Sequence, residues 1–161
     1  MQIKRFLEEL NIECFVPMKY ELDESESLGG EKLVPAIHNL IFIRSTQDII
    51  TRLKTERMEF APLRYMMCRS QEGNLQIMKV PEKQMEDFIR VTESRDRDVF
   101  YVSSSNYINA IGRKVRITAG QFQGVVGVIK RIKRNRCVVV KIQGVAAVAI
   151  AHVPSRFVEE V

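Results

Sequence analysis

From Gly112 onward the chain is a succession of short β-branched runs broken at close intervals. Val115 and Ile117 alternate with Arg116 and Thr118; Val125-Val126, Val128-Ile129, Val138-Val139-Val140 and the stretch from Val145 to Ile150 follow, separated by Gly or by Arg134-Asn135-Arg136. Valine and isoleucine suit a pleated, half-buried surface. Runs this short, with turn residues this frequent, leave no room for a helix and predict a small all-β barrel over 111–161; about fifty residues suffice for the SH3-like kind.

The first 95 residues read differently. Ile3, Phe6, Leu7 and Leu10 recur at helical spacing among Lys4, Arg5, Glu8 and Glu9, which predicts a short amphipathic helix ending at Asn11. A strand over Ile12–Tyr20, interrupted at Pro17, is expected next, then a polar loop or hairpin tip over Glu21–Lys32. Leu40–Ile43 reads as a compact strand. Thr46 or Ser45 can cap a following helix whose inner face is Ile49, Ile50 and Leu53, with Asp48 suited to its first turn. Strands over Leu63–Cys68 and Leu75–Val80 flank a turn at Gln71–Asn74. Pro81 then opens a helix to about Glu93, with Met85, Phe88 and Ile89 facing inward. The order α-β-β-α-β-β-α predicts an α+β layer domain over 1–95. Residues 96–110, with Asp96-Arg97-Asp98 and Ser103-Ser104-Ser105-Asn106, read as a linker whose one apolar patch, Val99–Val102, can pack on either domain.

Charge divides the chain the same way. Gly112–Val161 holds ten Lys and Arg against two Glu, a net of +8, while residues 1–111 hold fifteen against eighteen, a net of −3. Two units with different partners are expected, the basic one facing RNA, DNA or an acidic protein. Cys14, Cys68 and Cys137 are odd in number and form no C-x-x-C pair, so reduced thiols are expected rather than a disulfide framework or a zinc site. His38 and His152 lack the spacing of a metal motif, and no cofactor is expected. There is no Gly-rich phosphate loop, no Gly-x-Ser-x-Gly and no His-Glu-x-x-His, so no catalytic role is expected. The longest apolar run, Gly144 to Ala151, is far short of the roughly 20 residues that cross a bilayer, and no signal-peptide core is seen near Met1; a cytoplasmic protein with no membrane partner is expected.

The segment Gly112-Arg-Lys-Val-Arg-Ile-Thr-Ala-Gly-Gln-Phe-Gln-Gly-Val-Val-Gly-Val-Ile resembles a KOW motif. Gly120, Gly124 and Gly127 fall where one strand turns sharply into the next, and Phe122 can plug the barrel end between them. The front segment resembles the N-terminal domain of NusG-type factors. A helix is followed by Glu13-Cys14-Phe15-Val16-Pro17-Met18, and His38-Asn39-Leu40-Ile41-Phe42-Ile43-Arg44 is similar to the family's Pro-Gly-Tyr-Val-Phe-Val strand. Within that family, His38-Asn39, Val80-Pro81-Glu82-Lys83-Gln84-Met85 and Val138–Ala149 are most like the RfaH-like antiterminators of capsular polysaccharide operons, the UpxY group. The family's domain opens with a Trp-Tyr-type strand before its first helix. Here the helix begins almost at Met1 and the chain has no Trp, so the front sheet is expected to be one strand short.

The resemblance implies a ferredoxin-like α/β sandwich in front and a KOW SH3-like barrel behind. It implies a regulator of transcription elongation, an antiterminator, whose front domain grips the clamp helices of bacterial RNA polymerase. The matching positions are Leu40 and Phe42, bordered by Pro17 and Tyr65, with Thr46 near a second polymerase element. It further implies that Lys4 and Arg5 touch non-template DNA, that Lys130, Arg131, Lys133, Arg134 and Arg136 meet nascent RNA or an acidic partner, and that the barrel recruits a ribosomal protein or the termination factor Rho. The competing expectation is a ribosome- or RNA-binding KOW module with no action on polymerase.

Overall fold

The computed structural model describes residues 2–23, 25, 29–102 and 112–161. It is an α+β chain with three α-helices and a six-stranded antiparallel sheet among the described residues, divided into two compact units, Met1–Lys79 and Val80–Val161.

The first unit begins with α1, Gln2–Glu9, whose apolar stripe sends Leu7 fully inside. The helix ends as a Schellman turn. Asn11 adopts φ +55°, Ile12 N donates to Leu7 O (2.9 Å) and Asn11 N donates to Glu8 O (2.9 Å), so carbonyls of the last turn keep partners. Strand β1, Cys14–Phe15, pairs with β4, Phe42–Ile43, and places Phe15 opposite Phe42 with ring centroids 6.5 Å apart. Between them β2, Met18–Asp23, and β3, Gly30–Pro35, form a hairpin. Helix α2, Gln47–Glu56, is capped by Thr46, whose Oγ1 accepts from Ile49 N (3.4 Å). A 3-10 turn at Met58–Phe60 then drives Phe60 into the interior, edge-on to Phe6 at 6.3 Å. Strands β5, Met67–Arg69, and β6, Leu75–Ile77, close the unit as a third ribbon across the turn at Gly73.

Several front-unit expectations are corrected. The Ile12–Tyr20 strand is interrupted at Pro17 as expected, since proline offers no N–H to a ladder, but its first part begins only at Cys14. The Leu40–Ile43 strand shrinks to Phe42–Ile43 because Asn39 turns left-handed at φ +56° and leaves Leu40 outside it. The hairpin reaches further into the acidic stretch than expected, with ion pairs Lys19–Glu21 (2.6 Å) and Lys32–Asp23 (3.6 Å) across and along it. Ile49 is 43% exposed rather than inner; Ile50 alone of the α2 trio is buried. In place of one layered sheet, the described residues form three separate two-stranded ribbons.

The second unit starts with α3, Glu82–Thr92, directly after Pro81. Strand β7, Val99–Tyr101, follows, then β8, Lys114–Ile117, β9, Val126–Ile132, β10, Asn135–Ile142, β11, Ala146–Ala151, and β12, Val158–Glu160. The sheet order is β12-β8-β9-β10-β11-β7. Sequential strands β8 to β11 are neighbours, as a meander requires, and β12 returns beside β8. Val99–Tyr101 is therefore a sixth strand laid antiparallel along β11, continued by Val102 N on Ala147 O (3.0 Å); the apolar patch read within the linker packs on the second unit. The serine run at 103–106 lies outside the described residues.

Helix α3 packs on β10, β11 and β7, so the helix read from the sequence as the end of the front domain belongs with the strands of the six-stranded sheet. All six residues of β11 are buried. Cys137 and Val139 of β10 share one face with Ala147, Ala149 and Ala151, in a cluster with Ile132 and Val102. Tyr101 pairs with Val148 and so lies on the opposite face, where Phe88 of α3 meets it at 6.5 Å, edge to face. A strand covered on both faces must be apolar throughout, which is what Ala-Ala-Val-Ala-Ile-Ala provides.

Candidate functional site

The β8–β9 connection is the first place where residue type and geometry lock together. Ile117 O accepts from Gly124 N (2.7 Å), and the turn between them needs left-handed backbone at Gly120 (φ +85°) and Gly124 (φ +87°). Both positions have open space around a notional Cβ, so glycine is required there for conformation alone. Gly127 is different. A Cβ there would stand 2.7 Å from Val139 O and 2.7 Å from Val138 Cγ1, so glycine is what lets β9 approach β10. Phe122, held between these glycines, is 7% exposed.

Helix α3 grips this same connection. Arg90 donates from Nη1 to Gln123 O (2.8 Å) and from Nη2 to Gln121 O (2.5 Å). Asp87, the one buried charged side chain among the described residues, accepts from Val126 N (3.2 Å) and pairs with Lys83 one turn back. Gln84 Nε2 reaches Lys141 O (2.6 Å). Lys83 and Gln84 enter the sequence reading only within the Val80–Met85 segment, and Asp87 and Arg90 do not enter it. Lys83 and Asp87 stand at i, i+4, one turn apart, and only packing reveals that the carboxylate is buried.

The basic residues named from the sequence gather on the β9–β10 hairpin. Arg131 stands opposite Arg136 and Lys130 opposite Cys137. The turn is Lys133-Arg134, one residue earlier than Arg134-Asn135-Arg136 suggested, and both central residues are left-handed, at φ +46° and +71°. Arg136 Nη1 donates to Ser155 Oγ (2.6 Å). Burial, helped by the nearby Lys130 charge, pulls the Lys141 ammonium below its ordinary value.

The front-unit candidates fall in two places. Phe42, half-buried, stacks on Phe15 in the β1–β4 ribbon, Leu40 is half-buried just before it, and Pro17 is buried between β1 and β2. Tyr65 instead belongs with α2: its hydroxyl is 2.8 Å from Thr51 Oγ1 and 3.4 Å from Gln47 O, and Lys54 sits 4.4 Å over its ring. Thr46 is spent on the cap of the same helix. Lys4 and Arg5 each hold an ion pair one turn on, with Glu8 (3.6 Å) and Glu9 (3.5 Å), and Arg5 also covers Phe6.

A shallow recess in the second unit is lined by Asp96, Asp98, Gln121, Phe122, His152 and Phe157. Its polar groups bind one another: His152 Nδ1 lies 3.0 Å from Asp98 Oδ1, Asp98 N donates to Asp96 Oδ1 (2.8 Å), and Gln121 donates to Asp96. No group of three or more His, Cys, Asp or Glu among the described residues could hold a metal ion, and no described helix is long and apolar enough to cross a membrane. Comparison of the chain with protein-family models, with curated proteins and with solved structures finds no match.

Proposed function

We propose that this chain is a transcription elongation and antitermination factor of the NusG type, which binds RNA polymerase through its front unit and carries a KOW-type barrel behind it. The observation that carries the reading is the β8–β9 connection. Two left-handed glycines, a third with no space for a Cβ, and a buried Phe122 between them are the features the KOW resemblance rests on. A generic glycine-rich hairpin needs the first two and has no need of the third.

The front unit is suited to docking. Of the eleven large apolar side chains exposed among the described residues, nine lie in it, including Tyr20, Leu22, Leu33, Met58 and Leu75. Exposed apolar area of that density is characteristic of surfaces that bury on association. A factor of this type acts by binding one conformation of the polymerase better than its pause-prone alternative, shifting the population without chemistry. A capsular or exopolysaccharide operon is the target class, and a ribosomal protein or Rho the second partner, that the resemblance points to.

The test is capture of bacterial core RNA polymerase by the full chain, beside Phe42→Ala. Retention by the native chain, weakened about tenfold or more in the variant as expected for an interface aromatic, supports the reading. Phe42 also stacks on Phe15, so far-ultraviolet circular dichroism of the variant must match the parent. Failure of the native chain to retain polymerase rejects it in favour of an RNA-binding module.

A further inference from the structure

The β2–β3 ribbon has one strand edge whose chemistry matches itself. Residues opposite each other in an antiparallel ladder alternate between pairs that exchange both backbone hydrogen bonds and pairs that exchange none. Here Ala36 N donates to Pro17 O (2.8 Å), and Lys19 opposite Val34, Glu21 opposite Lys32 and Asp23 opposite Gly30 follow in the same phase. Met18 falls in the other phase, opposite Pro35, which has no N–H to give. Lys19, Glu21 and Asp23 therefore turn their backbone groups toward β3, while Met18, Tyr20 and Leu22 turn theirs to the outer edge of β2. No third strand lies along that edge among the described residues. Met18, Tyr20 and Leu22 also share one face of the ribbon with Leu33 and Pro35. That face is apolar, yet Leu22 is 71% exposed, Leu33 52% and Tyr20 44%. Two strands are too few to hold such a face in water; three or more are the usual minimum.

We propose that two copies of this chain associate through the outer edges of β2, antiparallel about a two-fold axis at Tyr20, to make a four-stranded sheet in the order β3-β2-β2-β3. A two-fold axis normal to the sheet continues each face of one copy into the same face of the other, so the register must centre on a residue. Centring on Lys19 or on Glu21 sets that residue against its own copy, and like charges directly opposite destabilise. Centring on Leu22 sets Glu21 against Asp23, with the same result, and centring on Met18 sets Lys19 against Pro17. Centring on Tyr20 alone sets Lys19 of each copy opposite Glu21 of the other, and Met18 opposite Leu22. Lys19 and Glu21 already meet within the strand at 2.6 Å, so both head groups stand ready on one face. The hydrogen-bonded pairs of this register are Tyr20 with Tyr20 and Met18 with Leu22, the residues whose N–H and C=O groups point outward. On the apolar face, Leu33 and Tyr20 of one copy run on into those of the other. The outer edge of β3 offers no such match: Pro35 interrupts it, and centring on Glu31 or Lys32 again opposes like charges. The proposal does not depend on the polymerase reading, whose test residue, Phe42, lies on β4.

The experiment is sedimentation of the full chain over a concentration series up to about 1 mM, where a reversible monomer–dimer equilibrium is expected. Lys19→Glu alone and Glu21→Lys alone each set like charges opposite each other at both contacts of the dimer. Each is expected to raise the dissociation constant about tenfold or more. An equimolar mixture of the two variants restores opposite charges at both contacts and is expected to associate as the native chain does. Loss of folding in either variant cannot produce that rescue. Leu22→Pro removes an outward N–H without touching the ladder to β3; it is expected to abolish the dimer and to leave the far-ultraviolet circular dichroism unchanged. Phe42→Ala is expected to leave association unchanged, so failure here and failure of polymerase capture are read separately. The proposal is overturned by a monomer at every concentration, which would leave this edge to a strand of another protein. It is equally overturned by a dimer that survives both charge variants and Leu22→Pro, or by a mixture that associates no better than its components.

Discussion

Tyr101 shows how one side chain can report on the packing of an element. Its hydroxyl is buried and has no hydrogen-bond partner, because the neighbouring Thr92 hydroxyl donates to Phe88 O (2.8 Å) in its own helix. Burial therefore pushes the phenol from its ordinary 10.0 up to about 12, the nearby Glu93 charge adding to the effect. The fold binds this proton more tightly than the unfolded chain does. Its contribution to stability is thus complete below pH 10 and is lost as pH rises from 10 towards 12. Tyr101→Phe removes no hydrogen bond and keeps the ring against Phe88, so stability at neutral pH is expected to be unchanged or slightly higher. The alkaline loss is expected to shrink in the variant, measured by urea denaturation at pH 8 and pH 11. An identical loss in both proteins would mean that Tyr101 does not titrate in this way.

At the scale of elements, α3 decides what the second folding unit is. The sequence supplies its helical period and its Pro81 start, and both are as expected. It does not supply the helix's address. Phe88 and Val91 are apolar enough to pack on any layer, and their full burial comes from β10, β11 and β7. The polar contacts are as specific as the apolar ones: removing Asp87 leaves Val126 N–H without its acceptor, which costs about 1–3 kcal/mol. A fragment Val80–Val161 is accordingly expected to unfold cooperatively. The fragment Gly112–Val161 lacks both α3 and β7, leaves one face of β11 uncovered, and is expected to melt at lower temperature or to bind a hydrophobic dye. Equal melting temperatures by circular dichroism would show that α3 and β7 add nothing to the stability of the other strands.

Across the whole molecule, apolar burial is unequally shared. Of the buried apolar side chains among the described residues, Leu7, Pro17, Ile50 and Phe60 lie in Met1–Lys79, while the rest lie in Val80–Val161. At ~25 cal/mol per Å² of apolar area removed from water, burial is the main stabilising term, so the first unit has the smaller reserve. Its ribbons, each of two strands, have no third strand among the described residues to share hydrogen bonds with. Amides of β1 to β6 are therefore expected to exchange with solvent hydrogen before those of β8 to β11, followed by hydrogen-exchange mass spectrometry. Uniform protection in both units would contradict this ordering.

What the sequence by itself determined is whatever depends on short-range chemistry. The periods of α1 and α3, the Thr46 cap, the glycine turn around Phe122 and the alternation of β8 were all legible, because each is fixed by residues within a few positions of one another. The basic candidates could be listed, but not the facing of Arg131 and Arg136, which depends on a turn placed one residue from where the composition put it. Only the tertiary structure decided that α3 and Val99–Tyr101 belong to the second unit, that Asp87 and Arg90 hold the glycine turn, and that Tyr65 serves α2. These are choices among surfaces of similar apolarity, made by shape and by which backbone groups still lack partners, and a linear pattern of residue types carries neither.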